Sequence, residues 1–149
     1  MTDSADVGAN STAQAIVAAF AALGVSRIAM ASPYTDDTNA HEAHYLGDNG
    51  IHVLASTGLG LNTSLENIQK ISRIAPSEVY EHAKSIDTPD AEALLICCTD
   101  FNTFDAIEPL ERELGKPVVS SNSATLWHTL RSAGIRDRID GLGTLLRNH

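Results

Sequence analysis

Two adjacent thiols, Cys97 and Cys98, are the only cysteines in the chain. Both close the apolar run 93–98, and Thr99 and Asp100 follow them. Successive strand side chains alternate between faces, so the two thiols cannot share one environment. Cys97 reads as a small buried hydrophobe. Cys98 falls where strand gives way to loop, ahead of a helical stretch whose free N–H groups favour a thiolate. A thiolate so placed is a nucleophile or a proton carrier; two packing cysteines are the structural alternative. Three other strand-like runs also end in small polar residues: Ser32-Pro33-Tyr34, Ser56-Thr57 and Ser120-Ser121-Asn122. Any one of them reads as the ordinary start of a loop. Four on one edge, one bearing a thiol, describe a polar, nearly uncharged pocket for a small ligand. Ser121 and Asn122 are then candidate substrate contacts.

Other chemistry-bearing patterns are weaker. His41 and His44 stand three apart in HEAHY, not at the HExxH spacing that puts two zinc ligands on one helical face. No metal site is expected, and His128, after Trp127, is expected at the surface. SPYTDD is a poor anion cradle after a first strand, and GLGLN lacks the GxGxxG spacing. The strand ends also lack the carboxylates of a phosphoacceptor receiver. No cofactor is expected.

The elements that must position these residues follow from periodicity and punctuation. Asn10 or Ser11 caps a helix through Leu23, with Ile16, Ala19, Phe20 and Leu23 inward and Gly24 closing it. A strand over 27–31 precedes a helix that Thr35 or Asp36 caps and that reaches about residue 46. A strand over 51–55 leads to a polar helix over 65–71, and Pro76 opens another to residue 83. The 93–97 strand, a helix with Ile107, Leu110 and Leu114 on one face, and the 118–119 run form a parallel crossover. A last helix carries Leu126, Trp127 and Leu130 and ends at Gly134. Four strands alternating with helices make an α/β three-layer sandwich on a four-stranded parallel sheet. Such sheets bind ligands at the carboxyl ends of their strands. Residues 1–9 read as a loose leader and 135–149 as a tail.

At 149 residues the chain is expected to be a single domain. Its formal charge of −9, with no basic face, argues against nucleic acid. No apolar run approaches the ~20 residues of a membrane span. The start lacks a signal-peptide core, and two adjacent cysteines build no disulfide scaffold. A cytoplasmic, reducing location is expected.

The run CCTDFNTFDAIEPLERELGKPVVSSNSATLWHTLRSAGI resembles the C-terminal half of the maleate cis-trans isomerases. These belong to the aspartate/glutamate racemase superfamily, with the arylmalonate decarboxylases. ALGVSRIAMASPYTDDTN is similar to the stretch leading to that family's A-T-P-Y. The resemblance covers nearly the whole chain and is most specific over 98–130. It implies one lobe, 1–149, of a racemase-like fold in which two lobes face each other and each usually offers a cysteine. Cys98 would be the second-lobe cysteine, and Tyr34 would hydrogen-bond a substrate carboxylate that the Thr99 backbone N–H also holds. Asn67 would match a substrate-contacting asparagine. Two residues depart from the pattern: Cys97 replaces a serine and Asp100 an asparagine. A carboxylate at 100 either repels an anionic ligand or caps the next helix.

In the isomerases the resemblance implies that the first-lobe thiolate adds to the double bond. Rotation and elimination then give fumarate, with the second cysteine assisting as acid and base. In the decarboxylase branch a lone cysteine protonates an enediolate. The expected function is cofactor-independent cysteine chemistry on a small dicarboxylate, incomplete without a first lobe. That lobe would come from a homo-oligomer or a separate chain. An edge normally buried against a twin leaves apolar surface, for which Leu59, Leu61, Leu145 and Leu146 are candidates. The competing readings are a non-catalytic binding subunit with half a site, or an amino-acid-racemase-like activity.

Overall fold

A computed structural model of the chain describes residues 9–149, so the expected leader lies, but for its last residue, outside the described residues. Ser11 accepts the Gln14 N–H while the Gln14 side chain reaches back to the Ser11 N–H. This reciprocal cap starts α1 (Thr12–Leu23), and Gly24, at φ +68°, ends it. There follow β1 (Arg27–Ser32), α2 (Asp36–Asp48), β2 (His52–Gly58), α3 (Leu65–Ile71), α4 (Pro76–Ser85), β3 (Ala93–Ile96) and α5 (Phe104–Leu114). The described chain ends with β4 (Val118–Ser120), α6 (Ser121–Ser132) and α7 (Gly143–Asn148).

The four strands are parallel, as expected of the sequence, and stand in the order β2-β1-β3-β4. Alternation divides the strands between two cores. Ile28, Met30, Leu95, Cys97 and Val119 meet Ala15, Phe20, Leu46, Ala124 and Leu146 from α1, α2, α6 and α7. Ala29, Ala31, Leu94, Ile96 and Val118 meet Val79, Ala83, Ile107 and Leu110 from α4 and α5. Burying both faces explains why β1 and β3 are continuous apolar runs. No helix among the described residues is long and apolar enough to cross a membrane.

Two elements differ from expectation. The second strand runs three residues beyond 55, because its backbone stays paired with β1 as far as Ser32↔Gly58. On a half-exposed edge strand, Ser56 and Thr57 cost nothing in lost burial. The expected tail also contains α7, whose Leu145 and Leu146 are 1% and 0% exposed. Glu111 fixes it by accepting the Val118 N–H at 3.0 Å and the Thr144 N–H at 2.9 Å. These leucines are core residues, and they are not surface for a partner.

Candidate active site

All four strands point their carboxyl ends at one edge, which gathers Tyr34, Gly58, Cys98 and Ser121. β1 and β3 are neighbours at the sheet's centre, so Tyr34 and Cys98 leave adjacent strands. Past Ile96 the ladder continues for one more bond, Cys97 N–H to the Ala31 carbonyl at 2.8 Å. Then the backbone breaks. Cys98 has φ +107°, the one positive φ outside glycine among the described residues. Such a conformation costs of order 1–3 kcal/mol and persists only where its surroundings enforce it. Here Cys98 donates its N–H to the Ser121 hydroxyl at 3.0 Å.

Both cysteines are buried, Cys97 at 5% and Cys98 at 6% exposure. The expectation of a buried Cys97 holds, and its surroundings keep the thiol protonated. Burial, then the Glu42 carboxylate, push its thiol up to about 12, against weaker lowering by Ser121 and the Cys98 backbone. Cys98 lies on the other side of the sheet, with Ala31, Ile96 and Phe101. The helix that serves it differs from expectation. α5 starts only at Phe104, and it is the first residue of α6 that meets the Cys98 peptide.

Tyr34 sits half-buried beside Cys98. Burial first, then the Cys98 sulfur, with Cys97 and Glu42 adding, push its phenol well above the ordinary range. The phenol therefore stays a neutral hydrogen-bond donor. The loop that carries it is tied from several sides. Ser32 Oγ accepts the Tyr34 N–H at 3.0 Å and donates to Asn39 Oδ1 at 2.5 Å. His82 Nε2 donates to the Ser32 carbonyl at 2.9 Å. Asn62 accepts the Thr35 N–H at 2.7 Å, and Gly60 donates to the Tyr34 carbonyl at 3.0 Å. Gly58 is required here, because a Cβ would lie 2.0 Å from the Tyr34 carbonyl oxygen.

Beside this pair a hollow of about 290 Å³ opens at the same edge, lined by Thr99, Asp100, Phe101, Asn102, Asp105 and Asn122. Thr99 and Asp100 are exposed, and Asn122 donates to the Phe101 carbonyl at 3.1 Å. A larger hollow of about 570 Å³, between α5 and α7, is lined by Glu111, Lys116 and Arg147. It lies at the opposite edge, whereas the smaller one shares the carboxyl edge with Cys98 and Tyr34 and is lined by Thr99, the residue after Cys98, so the smaller one is the candidate site.

The structure thus brings Cys98, Tyr34, Thr99, Ser121 and Asn122 to one edge. Ser121 is buried and its hydroxyl is turned onto the cysteines. Asn67 stands on α3, where it bonds Thr63 at 3.0 Å and Lys70 at 2.9 Å. His41 and His44 are exposed on α2, whereas His128 is half-buried and its Nδ1 has no partner. Sequence reasoning missed Ser32, Asn39, Gly58 and Asn62 as supports of Tyr34. An asparagine on the inward face of α2 was the available signal.

Comparison with known proteins agrees with this fold. The arylmalonate decarboxylase family model matches residues 1–146. An arylmalonate decarboxylase of Bordetella bronchiseptica is 34% identical over 120 residues, 80% of this chain and 49% of its own. A maleate isomerase of Geobacillus stearothermophilus is 28% identical over 137 residues, 91% of this chain and 53% of its own. The solved structure of a Nocardia farcinica maleate cis-trans isomerase mutant with a covalently bound succinylcysteine intermediate has a TM-score of 0.84 at 27% identity. That match covers 93% of this chain and 55% of the isomerase chain. The chain spans about half the length of the curated relatives it matches. Sequence and fold agree over that whole span, and the chain belongs to the arylmalonate decarboxylase family.

Proposed function

We propose that this chain supplies the Cys98 half of a site for cofactor-independent thiol chemistry on a small dicarboxylate. The observation that carries the reading is Cys98 held at φ +107° on the carboxyl edge, beside a neutral tyrosine phenol. A neutral O–H donor beside a thiol can bind a carboxylate oxygen or stabilise the charge that develops on it. Relatives named for maleate isomerisation, one with a succinylcysteine intermediate, support a cysteine that bonds to or exchanges protons with a dicarboxylate.

In the isomerase reading, a thiolate adds to one olefinic carbon. The displaced electron pair moves onto the neighbouring carbon and into its carboxylate. Rotation about the new single bond and expulsion of the thiolate give the trans acid. The described edge presents one thiol for this, so the opposing thiol comes from a facing lobe. Cys98 serves as its acid and base, Tyr34 and the Thr99 N–H hold a carboxylate, and Asn122 lies at the rim. A second reading rests on that same single thiol. An arylmalonate that loses carbon dioxide leaves an enediolate, and the Cys98 S–H delivers its proton to carbon.

Fumarate formation from maleate and carbon dioxide release from an arylmalonate distinguish the readings. Each is measured for the chain alone and with a cysteine-bearing first-lobe protein added. Isomerisation is expected to be negligible from the chain alone, to appear with the first lobe, and to vanish on Cys98→Ala. Fast isomerisation by the lone monomer would overturn the half-site reading. Activity of a homodimer, abolished by Cys98→Ala, would show two copies sharing both roles. Silence toward both substrates in every combination would favour a binding subunit.

A further inference from the structure

The serine run at the end of β4 has a use that substrate contact does not explain. Ser121 is 2% exposed, so its hydroxyl must find protein partners. It accepts the Cys98 N–H at 3.0 Å and donates toward the Cys97 sulfur at 3.9 Å. Cys97 remains a neutral thiol at ordinary pH, because burial holds its proton on. Its sulfur is thus a steady acceptor, and the serine lone pairs are left facing Cys98.

Ser121 itself is immobilised by its neighbours. Ser120 Oγ accepts the Ser123 N–H at 3.0 Å and the Thr103 hydroxyl at 2.9 Å, and Ser123 Oγ accepts the Ser120 N–H at 2.9 Å. This double cap locks the first turn of α6 to the end of β4. One end of the Cys98 peptide is therefore tied to a fixed point at the start of α6. That bond fixes the 97–98 peptide plane, so the Cys98 Cα and thiol are placed by rotation from an anchored N–H.

We propose that Ser121 is a positioning residue for Cys98. Its hydroxyl, oriented by the Cys97 sulfur, holds the left-handed turn that keeps the Cys98 thiol beside the Tyr34 phenol. The proposal rests on Cys98 being the reactive thiol, but its central readout needs no substrate. Cys97 acts in it only by orienting the serine hydroxyl.

Ser121→Ala tests it through two measurements. The three-bond amide–Hα coupling at Cys98, read by NMR, reports its φ directly. Alkylation of each cysteine by iodoacetamide, resolved by fragment-ion mass spectrometry, reports the thiol. In Ser121→Ala the coupling is expected to rise towards extended values. Alkylation of Cys98 is expected to change at least threefold, because the sulfur no longer keeps its place beside the phenol. Ser121→Thr, which keeps the hydroxyl, should restore both readouts. A folded Ser121→Ala protein with unchanged coupling and alkylation rate would overturn the proposal. If that variant does not fold, Cys97→Ala frees the serine rotor instead. A partial change in the same direction supports the proposal, and unchanged coupling overturns it. Absence of alkylation at Cys98 in the unmodified protein would count against the proposed function, while the coupling would still decide the role of Ser121.

Discussion

A buried thiol that cannot ionise makes a folded protein sensitive to alkali. Cys97 ionises near pH 9.0 once unfolded, but burial pushes it up to about 12 in the fold. Between those values the unfolded chain sheds a proton that the folded chain keeps. The stability contributed by the neutral buried thiol is therefore complete below pH 9 and is lost progressively as pH rises to 12, by about 4 kcal/mol. Tyr34 is shifted in the same direction and adds to the loss above its ordinary range near pH 10. Denaturant melts from pH 8 to pH 11 are expected to show this slope. Cys97→Ala should remove the part that begins at pH 9 and leave the tyrosine part. A parallel slope in both proteins would mean that Cys97 is not the cause.

The elements show what sequence makes legible and what it hides. Strand, helix and strand from β3 to β4 could be read from apolar runs that stop at small polar residues. The order of the sheet could not be read, because the chain passes from β2 through α3 and α4 to the far side of β1 before β3. Three further features could not be read because they depend on contacts between distant elements. The left-handed turn at Cys98 is held by Ser121, far along the chain. α7 is short, and a six-residue helix has no periodicity to detect, yet Glu111 ties it into the core. The approach of β2 to the Tyr34 loop leaves only a glycine as its trace. Gly58→Ala would place a methyl group against the Tyr34 carbonyl and 2.8 Å from the Asn39 amide nitrogen. Such overpacking is expected to cost about 1–3 kcal/mol in an equilibrium melt and to slow Cys98 alkylation by shifting Tyr34. An unchanged melt and rate would show that the loop simply slides away.

At the scale of the molecule, several of the large apolar side chains left in water lie on and after the edge strand. Leu54, Leu59, Ile68 and, at 72% exposure, Leu65 belong to β2, its following loop and α3. Of the sequence candidates for this surface, Leu59 is exposed, Leu61 is half-buried and the α7 leucines are interior. A face of this kind invites a partner. We expect the protein to self-associate or to bind a first-lobe chain through it, and Leu65→Lys with Ile68→Lys to weaken that association. Light scattering over a concentration series checks this, and a monomer throughout, with no change in the double variant, would argue against it.

The strand order carries a consequence for time rather than for shape. β1 and β3, from which Tyr34 and Cys98 emerge, each have a strand on both sides, whereas β2 has one neighbour and a solvent-facing edge. Opening fluctuations start where few contacts must break, so amides of β2 and α3 are expected to exchange with deuterium long before those of β1 and β3. The thiol would then stay on a slowly opening strand, whereas the phenol, whose loop is tied to Gly60 and Asn62 beyond β2, would loosen whenever that edge opens.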